Sequence, residues 1–441
     1  MALLRDILTT TSGRIISLLL GIGIASASAW LLGPDGRGEL AIYLVFGTLL
    51  VILTSSGVEM GVGYYAGSSK YELARVLPVL LFSATVSLVI SALLAGSLWI
   101  YQPEFIHKIN GLGILFVVFF VPMMLLSQSM QWLHSSLGDL KSYAIGQIVN
   151  AAVCLLGILI LCWNTRQAEY GMIAYVMGSI FAVSYMLWIL TRKHSVFPFA
   201  FSWRCLKDIY SYGFRYFFAR MAQFLNVQVA TFVITFIGTK EQIGIFSASI
   251  GLISRLTILS EILNAVLLSR VLKQQLTSVA LVAKAVRMTF WLTFFAGGII
   301  AIFCKPMVAL VLSPDFLPAV PVIWILLPGV IIRCCAKTLE VYFNGIGRPG
   351  VNSVGIVCAV ITNIILMYHL ILPYGVRGAA IAAACGYVVD GIILILYYKF
   401  ALKNSLLLLV PMFSDITNIY LIIIRKRRDI QLKKAECETL E

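Results

Sequence analysis

The chain of 441 residues is 60% hydrophobic and 12% charged, which is about half of the roughly 25% charge typical of a soluble domain. Its mean hydropathy is +0.96, so the composition predicts an integral membrane protein and excludes an ordinary soluble fold. The net charge of +14 does not indicate nucleic-acid binding, because the Lys and Arg residues are spread between apolar segments instead of clustering on one polar face.

Twelve apolar segments of about 20 residues are long enough to cross a hydrocarbon core of roughly 30 Å as helices. We therefore predict an all-α membrane protein with twelve transmembrane helices. The first six segments lie near residues 15–32, 40–58, 76–100, 114–133, 143–163 and 172–190, and the second six near 214–237, 243–268, 288–312, 319–336, 353–372 and 379–398.

A polar segment at residues 192–213 divides the chain nearly in half. It predicts two six-helix lobes, residues 1–191 and 214–400, joined by a cytoplasmic linker. The first hairpins of the two halves are similar, which indicates a parallel repeat, a common transporter plan with the substrate path between the halves.

The basic tail, residues 401–441, begins with an apolar stretch at 405–424 that Pro411 and Asp415 interrupt. The four basic residues that follow favour a helix lying at the membrane surface over a thirteenth span.

The basic residues predict the orientation. About 22 of the 33 Lys and Arg residues fall on one side of a twelve-span arrangement and about six on the other, so the positive-inside rule places both termini in the cytoplasm. The first helix imitates a cleavable signal peptide, with Arg5 and Arg14 before its apolar run and small residues at its end. We expect it to stay uncleaved, because its Ala and Ser spacing also suits helix packing.

Five arginines fall inside predicted spans, where each costs roughly 2.5 to 3.5 kcal/mol at the bilayer centre. Arg14 and Arg215 are close enough to predicted helix ends to reach the headgroups, whereas Arg220 and Arg255 lie deeper. The five are Arg14, Arg215, Arg220, Arg255 and Arg333.

The seventh span carries a polar stripe on one helical face, formed by Tyr216, Arg220, Gln223 and Asn226. Such a stripe either lines a water-filled cavity or holds helices together by hydrogen bonds. Similar stripes occur on the eighth span around Arg255, and on the fourth and fifth spans at Gln128, Gln131, Ser135, Gln147 and Asn150.

Three acidic residues, Glu59, Glu261 and Asp390, oppose the five embedded arginines. A cavity with this balance, with Arg333 among its polar lining, is net positive and selects anions such as phosphate. Glu59 and Asp390 either pair with arginines or carry a coupling ion. Glu59 lies nearer the cytoplasmic end, where it also fits a surface-seeking charge.

Motifs for nucleotide hydrolysis, zinc proteases and esterases do not occur in the sequence. We therefore expect a transporter that is not an enzyme and needs neither a cofactor nor a metal.

Several loop motifs resemble one known group, the polysaccharide (O-antigen, Wzx-type) flippases of the multidrug, oligosaccharidyl-lipid and polysaccharide exporter superfamily. The similar stretches are LGPDGRGELA at 32–41, IGIFSA at 243–248, NGIGRP at 344–349, and LPYGVRGAAIA at 372–382. The resemblance implies two MATE-like lobes in a V shape that move an undecaprenyl-diphosphate-linked oligosaccharide to the outer leaflet of the bacterial cytoplasmic membrane by alternating access.

The resemblance also implies that Arg14, Arg220 and Arg255 contact the diphosphate. Its implied partners are the lipid-linked oligosaccharide, membrane lipids and polysaccharide assembly proteins. The alternative is a MATE-like multidrug or small-molecule exporter, which is less favoured because such exporters usually present carboxylates to a cationic substrate. Lipid II flippases of the superfamily usually have fourteen helices, for which this chain is too short.

Overall fold

The computed structural model describes residues 2–101, 110–194, 200–261, 263–264, 279–346, 348, 350–400 and 405–412. Within these ranges the regular structure is helical, as the sequence predicts, and no strand occurs. The first six helices are α1 (Ala2–Ser55), α2 (Val58–Gly67), α3 (Leu73–Tyr101), α4 (Gly111–Ser136), α5 (Leu140–Thr165) and α6 (Ala168–Lys193). The others are α7 (Trp203–Ile237), α8 (Lys240–Ile253), α9 (Val279–Ile302), α10 (Cys304–Val311), α11 (Ala319–Gly345) and α12 (Gly350–Phe400).

Two of these helices contain a glycine with left-handed backbone angles. Gly33 in α1 has φ 67° and Gly375 in α12 has φ 55°, a conformation that favours glycine. At the second break, a Cβ atom on Gly378 would lie 2.0 Å from the carbonyl oxygen of Leu370, whereas residues eight apart in a straight helix are about 12 Å apart along the axis. The chain therefore turns sharply within α12.

Among the described residues, nine helices are long and apolar enough to cross a membrane, and the two parts of α7, bent by 59°, qualify together as a tenth span. The chain is thus a multi-pass membrane protein. The predicted number of twelve is not confirmed, because it requires α1 and α12 to cross the bilayer twice each. It stays a prediction.

Some helices begin earlier than the apolar pattern predicts. α7 begins at Trp203 within the predicted linker 192–213, with the Ser202 side chain capping its first turn. α9 begins at Val279 instead of near residue 288 and ends at Ile302, before the short helix α10. Hydropathy detects only the apolar part of a helix, so polar turns that extend beyond it are missed.

The chain forms two compact units, which interleave along the sequence. The first unit comprises Met1–Ile253, Phe303–Leu326 and Val360–Ala383. One of its cores packs α2, α3, α4 and α7 together through residues such as Val58, Leu80, Leu133 and Ile209. A second core joins α1, α4, α5 and α6.

The second unit comprises Ser254–Ile302, Leu327–Ala359 and Ala384–Glu441. Its core joins α9, α11 and the second half of α12 through Val282, Leu339, Phe343, Leu394 and Tyr398. The predicted lobes 1–191 and 214–400 stay a prediction. The predicted surface helix and its basic anchor lie outside the described residues, apart from a 3₁₀ turn at Leu406–Leu408.

Candidate functional site

Arg220 on α7 makes hydrogen bonds to side chains of two other helices. Its Nη1 donates to Oε1 of Glu59 on α2, and its Nη2 donates to Oε1 of Gln128 on α4 over 3.0 Å. A guanidinium between membrane-spanning helices is costly unless its donors find acceptors. The ion pair and the amide therefore compensate the charge of Arg220 and join three helices of the first unit.

Glycines allow α2 and α7 to approach closely enough for this ion pair. A Cβ atom on Gly57 would lie 2.2 Å from the carbonyl oxygen of Gly213, and one on Gly61 would lie 2.3 Å from a carbonyl oxygen of α7. Small residues at a helix crossing permit such backbone contact. Glu59 lies between Gly57, the residue just before α2, and Gly61 within it. Arg220 follows Gly213 by two turns on the same face of α7. The crossing therefore brings the two charges together.

Glu59 is 1% exposed, so the expectation of a surface-seeking charge is wrong. Of the two other roles that the sequence left open, the structure shows the pairing with an arginine. The second carboxylate oxygen, Oε2, has no hydrogen-bond partner among the described residues. It remains able to accept a proton or a further donor, and the role in ion coupling stays a prediction.

Arg220 also forms one side of a cleft of ≈ 360 Å³ in the first unit. Beside it, the Gln147 amide nitrogen donates to two lining residues: to Oε1 of Gln131 over 3.2 Å and to the hydroxyl of Tyr143 over 2.9 Å. Linked amides and hydroxyls of this kind hold one another in place within an apolar bundle. The residues that line the cleft are Gln128, Gln131, Trp132, Ser135, Tyr143 and Arg220.

The other members of the predicted stripe on α7 differ from Arg220. Tyr216 and Gln223 are exposed, and the hydroxyl of Tyr216 lies 3.3 Å from that of Tyr212. Asn226 lies where α7 bends by 59°, and its side chain is outside the described part of the chain. Of the stripe side chains that are described, Arg220 is the one that hydrogen-bonds to neighbouring helices.

The second unit holds Arg333 and Asp390. Arg333, on α11, is 7% exposed, and its guanidinium carbon lies 4.6 Å from the ring centroid of Tyr387 on α12, within the range of a cation–π contact. Asp390, one turn after Tyr387, is 1% exposed. A Cβ atom on Gly355 would lie 2.5 Å from its Oδ1, so the absence of a side chain at Gly355 leaves room for the carboxylate.

Of the three arginines predicted to contact a diphosphate, the two whose side chains are described belong to different units. Arg220 belongs to the first unit, whereas Arg255 belongs to the second, in a 3₁₀ turn at Ser254–Leu256 that follows α8. Arg14 lies in α1, but its side chain is outside the described residues. Glu261, which shares the predicted stripe of Arg255, accepts from Lys337 over 3.1 Å.

Trp132 and Tyr143 are the cleft residues that the sequence reasoning missed. A signal for both was present. Trp132 follows Gln131 directly on α4. Tyr143 precedes Gln147 by four residues, so these two side chains lie on one face of α5. Aromatic residues are so common in membrane helices that neither stood out from the apolar background.

Two ion pairs lie beside the loops between helices. Lys70 donates to Asp208 over 2.8 Å, and this hydrogen bond raises the pKa of Lys70. Asp139 accepts from Lys193 over 2.6 Å and caps α5 by accepting from the Ser142 amide. Burial opposes ionisation of Asp139, but these hydrogen bonds outweigh it and hold its pKa at about 2. Both pairs fix helix ends of the first unit.

A family model described as "Polysaccharide biosynthesis protein" matches residues 3–267. No curated protein matches this sequence.

Several solved structures have the same fold. The structure titled "Lipid II flippase MurJ, inward closed conformation" is 14% identical, with a TM-score of 0.69 over 98% of this chain and 93% of that one. An inward-facing multidrug resistance MATE family transporter of the MOP superfamily is 14% identical, with a TM-score of 0.64 over 88% and 98%. The MATE multidrug transporter DinF-BH is 13% identical, with a TM-score of 0.62 over 89% and 94%. At such identities the likeness shows the fold alone.

Proposed function

The chain belongs to the polysaccharide biosynthesis protein family, and from that premise we propose that it is a flippase. In this proposal it moves an undecaprenyl-diphosphate-linked oligosaccharide, the repeat unit of an O-antigen or another surface polysaccharide, from the inner to the outer leaflet of the bacterial cytoplasmic membrane. The observation that supports this most directly is Arg220, a cation between membrane helices beside a polar cleft.

The diphosphate exchanges with Glu59 at Arg220. A planar guanidinium presents paired donors that match phosphate oxygens, and the pair with Glu59 uses the same Nη1 group. Replacing a carboxylate by a phosphate keeps the charge of Arg220 compensated during the exchange. The charge of Arg220 is therefore compensated both before and after the substrate binds.

Glu59 supplies a site for ion coupling in this cycle. A proton on its carboxylate removes the negative charge that competes with the substrate, and so releases Arg220. Asp390, buried in the second unit, is the second proposed coupling residue. Arg14 and Arg255 are proposed as further diphosphate contacts, and Arg333 as a polar cavity residue in the second unit.

The localisation and partners follow from the same role. We place both termini in the cytoplasm, and the substrate and membrane lipids in direct contact with the chain. Proteins that assemble the polysaccharide on the outer side are the proposed protein partners.

Flipping of a lipid-linked sugar by purified protein in sealed vesicles tests the proposal. The informative variant is Arg220→Ala combined with Glu59→Gln, because it removes the arginine without leaving a buried carboxylate unpaired. We expect this variant to insert normally and to lose at least tenfold in flipping rate. The combination of Arg220→Lys with Glu59→Gln keeps the positive charge but loses the paired donors of the guanidinium, so it should retain an intermediate flipping rate. A wild-type rate in the Ala variant would remove Arg220 from the substrate path.

A MATE-like exporter of organic cations remains the second candidate, since two buried carboxylates, Glu59 and Asp390, are present. Glu59 is already compensated by Arg220, which weakens the attraction of the first unit for a cation. Accumulation of a cationic dye in vesicles, with no flipping of the lipid-linked sugar, would favour this second function.

A further inference from the structure

The cleft beside Arg220 contains more hydrogen-bonding capacity than the protein uses. Among the described residues, Gln128 is hydrogen-bonded through its amide oxygen, and no hydrogen bond to another protein group is made by its amide nitrogen, by the indole nitrogen of Trp132 or by the hydroxyl of Ser135. The hydroxyl of Tyr143 accepts from Gln147 and retains its own hydrogen for donation. Unused polar groups between membrane helices are costly unless water or a ligand meets them. The cleft is therefore suited to a polar occupant.

Charge indicates which kind of polar occupant fits. The formal charge in the lining belongs to Arg220, and Glu59 compensates it. The other lining groups are neutral amides, hydroxyls and aromatic rings. A neutral molecule with many hydroxyl groups matches these groups better than a second anion does.

Trp132 adds a flat apolar face to the cleft. It is 42% exposed and lies next to the partly buried network of Gln131 and Gln147. A sugar ring presents hydroxyl groups at its edge and C–H groups on its face, so it can stack on an indole while its edge meets amides. The cleft volume of ≈ 360 Å³ lies at the lower end of the roughly 300–1,000 Å³ range for small-ligand sites.

We infer that this cleft is a sugar subsite, which binds a neutral sugar ring of the lipid-linked substrate while Arg220 contacts the diphosphate. Trp132 stacks on the ring, and Gln128, Gln131, Ser135 and Tyr143 bind its hydroxyl groups. This inference rests on the proposed flippase function. It adds that selectivity for the glycan is set partly on α4 and α5, apart from the charge that recognises the diphosphate.

Binding to protein in nanodiscs tests the subsite. The probes are undecaprenyl diphosphate alone and the same lipid carrying one glucose, galactose or N-acetylglucosamine residue. We expect at least one sugar-bearing lipid to bind about tenfold more tightly than the bare lipid. In Trp132→Ala and in Gln131→Ala the ratio of the two affinities should fall toward one, and Trp132→Phe, which keeps a flat ring, should retain part of it.

Trp163 provides the matched control, because it is also a tryptophan of the first unit, is 67% exposed and does not line the cleft. Trp163→Ala should leave the ratio unchanged. A ratio that survives both cleft variants, or a wild-type protein that binds no sugar-bearing lipid more tightly than the bare lipid, would overturn the subsite alone. Failure of the wild-type protein to bind any of the four lipids would overturn the proposed function as well.

Discussion

At the scale of single residues, the candidate site is built around the pair of Arg220 and Glu59. Glu59 is almost fully buried, and Arg220 holds both its carboxylate and the Gln128 amide. Removing one partner of a buried ion pair leaves an uncompensated charge and typically lowers the free energy of unfolding by about 3–5 kcal/mol. Removing both charges often leaves that free energy nearly unchanged. The same pair is thus a constraint on stability and the proposed site of exchange with substrate.

The first prediction separates these two roles. Arg220→Ala alone should lower the free energy of unfolding by about 3–5 kcal/mol, because Glu59 is left buried and charged. Adding Glu59→Gln should restore most of that loss. Thermal unfolding of the detergent-purified single and double variants measures both effects, and equal stability of the two would show that the pair contributes little.

The second prediction concerns Asp139. Its pKa in the folded protein is about 2, below the ordinary 3.8, so its stabilising effect is complete above pH 3.8 and disappears as the pH falls through about 2. Asp139→Asn should therefore cost on the order of 1 kcal/mol at pH 7, reduced by solvent screening.

The difference in stability between wild type and Asp139→Asn should shrink between pH 3.8 and pH 2. Thermal denaturation of both proteins at several pH values checks this. A constant difference across that range would assign the effect to something other than the ionised carboxylate.

At the scale of helices, glycine contacts determine which side chains meet. The crossing of α2 and α7 at Gly57, Gly61 and Gly213 places backbone against backbone. A comparable contact joins α1 and α8, where a Cβ atom on Gly38 would lie 1.9 Å from the carbonyl oxygen of Lys240. Helix pairs held this closely have little freedom to accept a side chain at the crossing.

The third prediction follows from the first of these crossings. Gly61→Ala should push α2 away from α7, because the added methyl group would meet a carbonyl oxygen at 2.3 Å. We expect a loss of stability of about 1–3 kcal/mol together with reduced flipping, since Glu59 and Arg220 are drawn apart. Gly96→Ala on α3 is the control, because nothing lies within 4 Å of its added methyl group. Equal behaviour of the two variants would contradict the role of the crossing.

At the scale of the whole molecule, the distribution of charge predicts the topology, and the proposed function requires a transport cycle. The chain shares its fold with MOP superfamily transporters, and about 22 of its 33 basic residues lie on one side of the predicted arrangement. The proposed transport cycle needs a source of free energy. An ion gradient and the membrane potential, worth about 2.3 kcal/mol per charge per 100 mV, are available.

The fourth prediction is that reporter fusions after Lys403 and after Lys108 report opposite sides of the membrane. The reason is the positive-inside rule applied to twelve spans with both termini in the cytoplasm. Enzyme reporters active on only one side provide the measurement. Finding both fusions on the same side would exclude the twelve-span arrangement.

The fifth prediction concerns the energy source. Flipping in sealed vesicles should slow when the proton or sodium gradient and the potential are collapsed. Glu59→Gln and Asp390→Asn should each reduce that dependence, because both replace a buried carboxylate that can bind an ion. Undiminished net accumulation after full collapse would mean that substrate supply alone drives the cycle, and both carboxylates would then be structural.

The sequence alone was sufficient to predict helices, a membrane location and the exporter superfamily. The first two properties depend on local composition and on runs of about 20 apolar residues. The superfamily was indicated by a resemblance in the loop motifs at 32–41, 243–248, 344–349 and 372–382. It also identified Arg220, Glu59, Gln128 and Gln131 as polar residues within spans, since any such residue stands out against an apolar background.

Only the tertiary structure decided which of these residues meet. The pairing of Glu59 with Arg220 joins positions 161 residues apart, and it depends on the close approach at Gly57, Gly61 and Gly213. Helical periodicity describes the face of one helix and carries no information about which helix packs against it. For the same reason the polar cleft, and the place of Trp132 and Tyr143 in it, became visible only when α4, α5 and α7 were seen packed together.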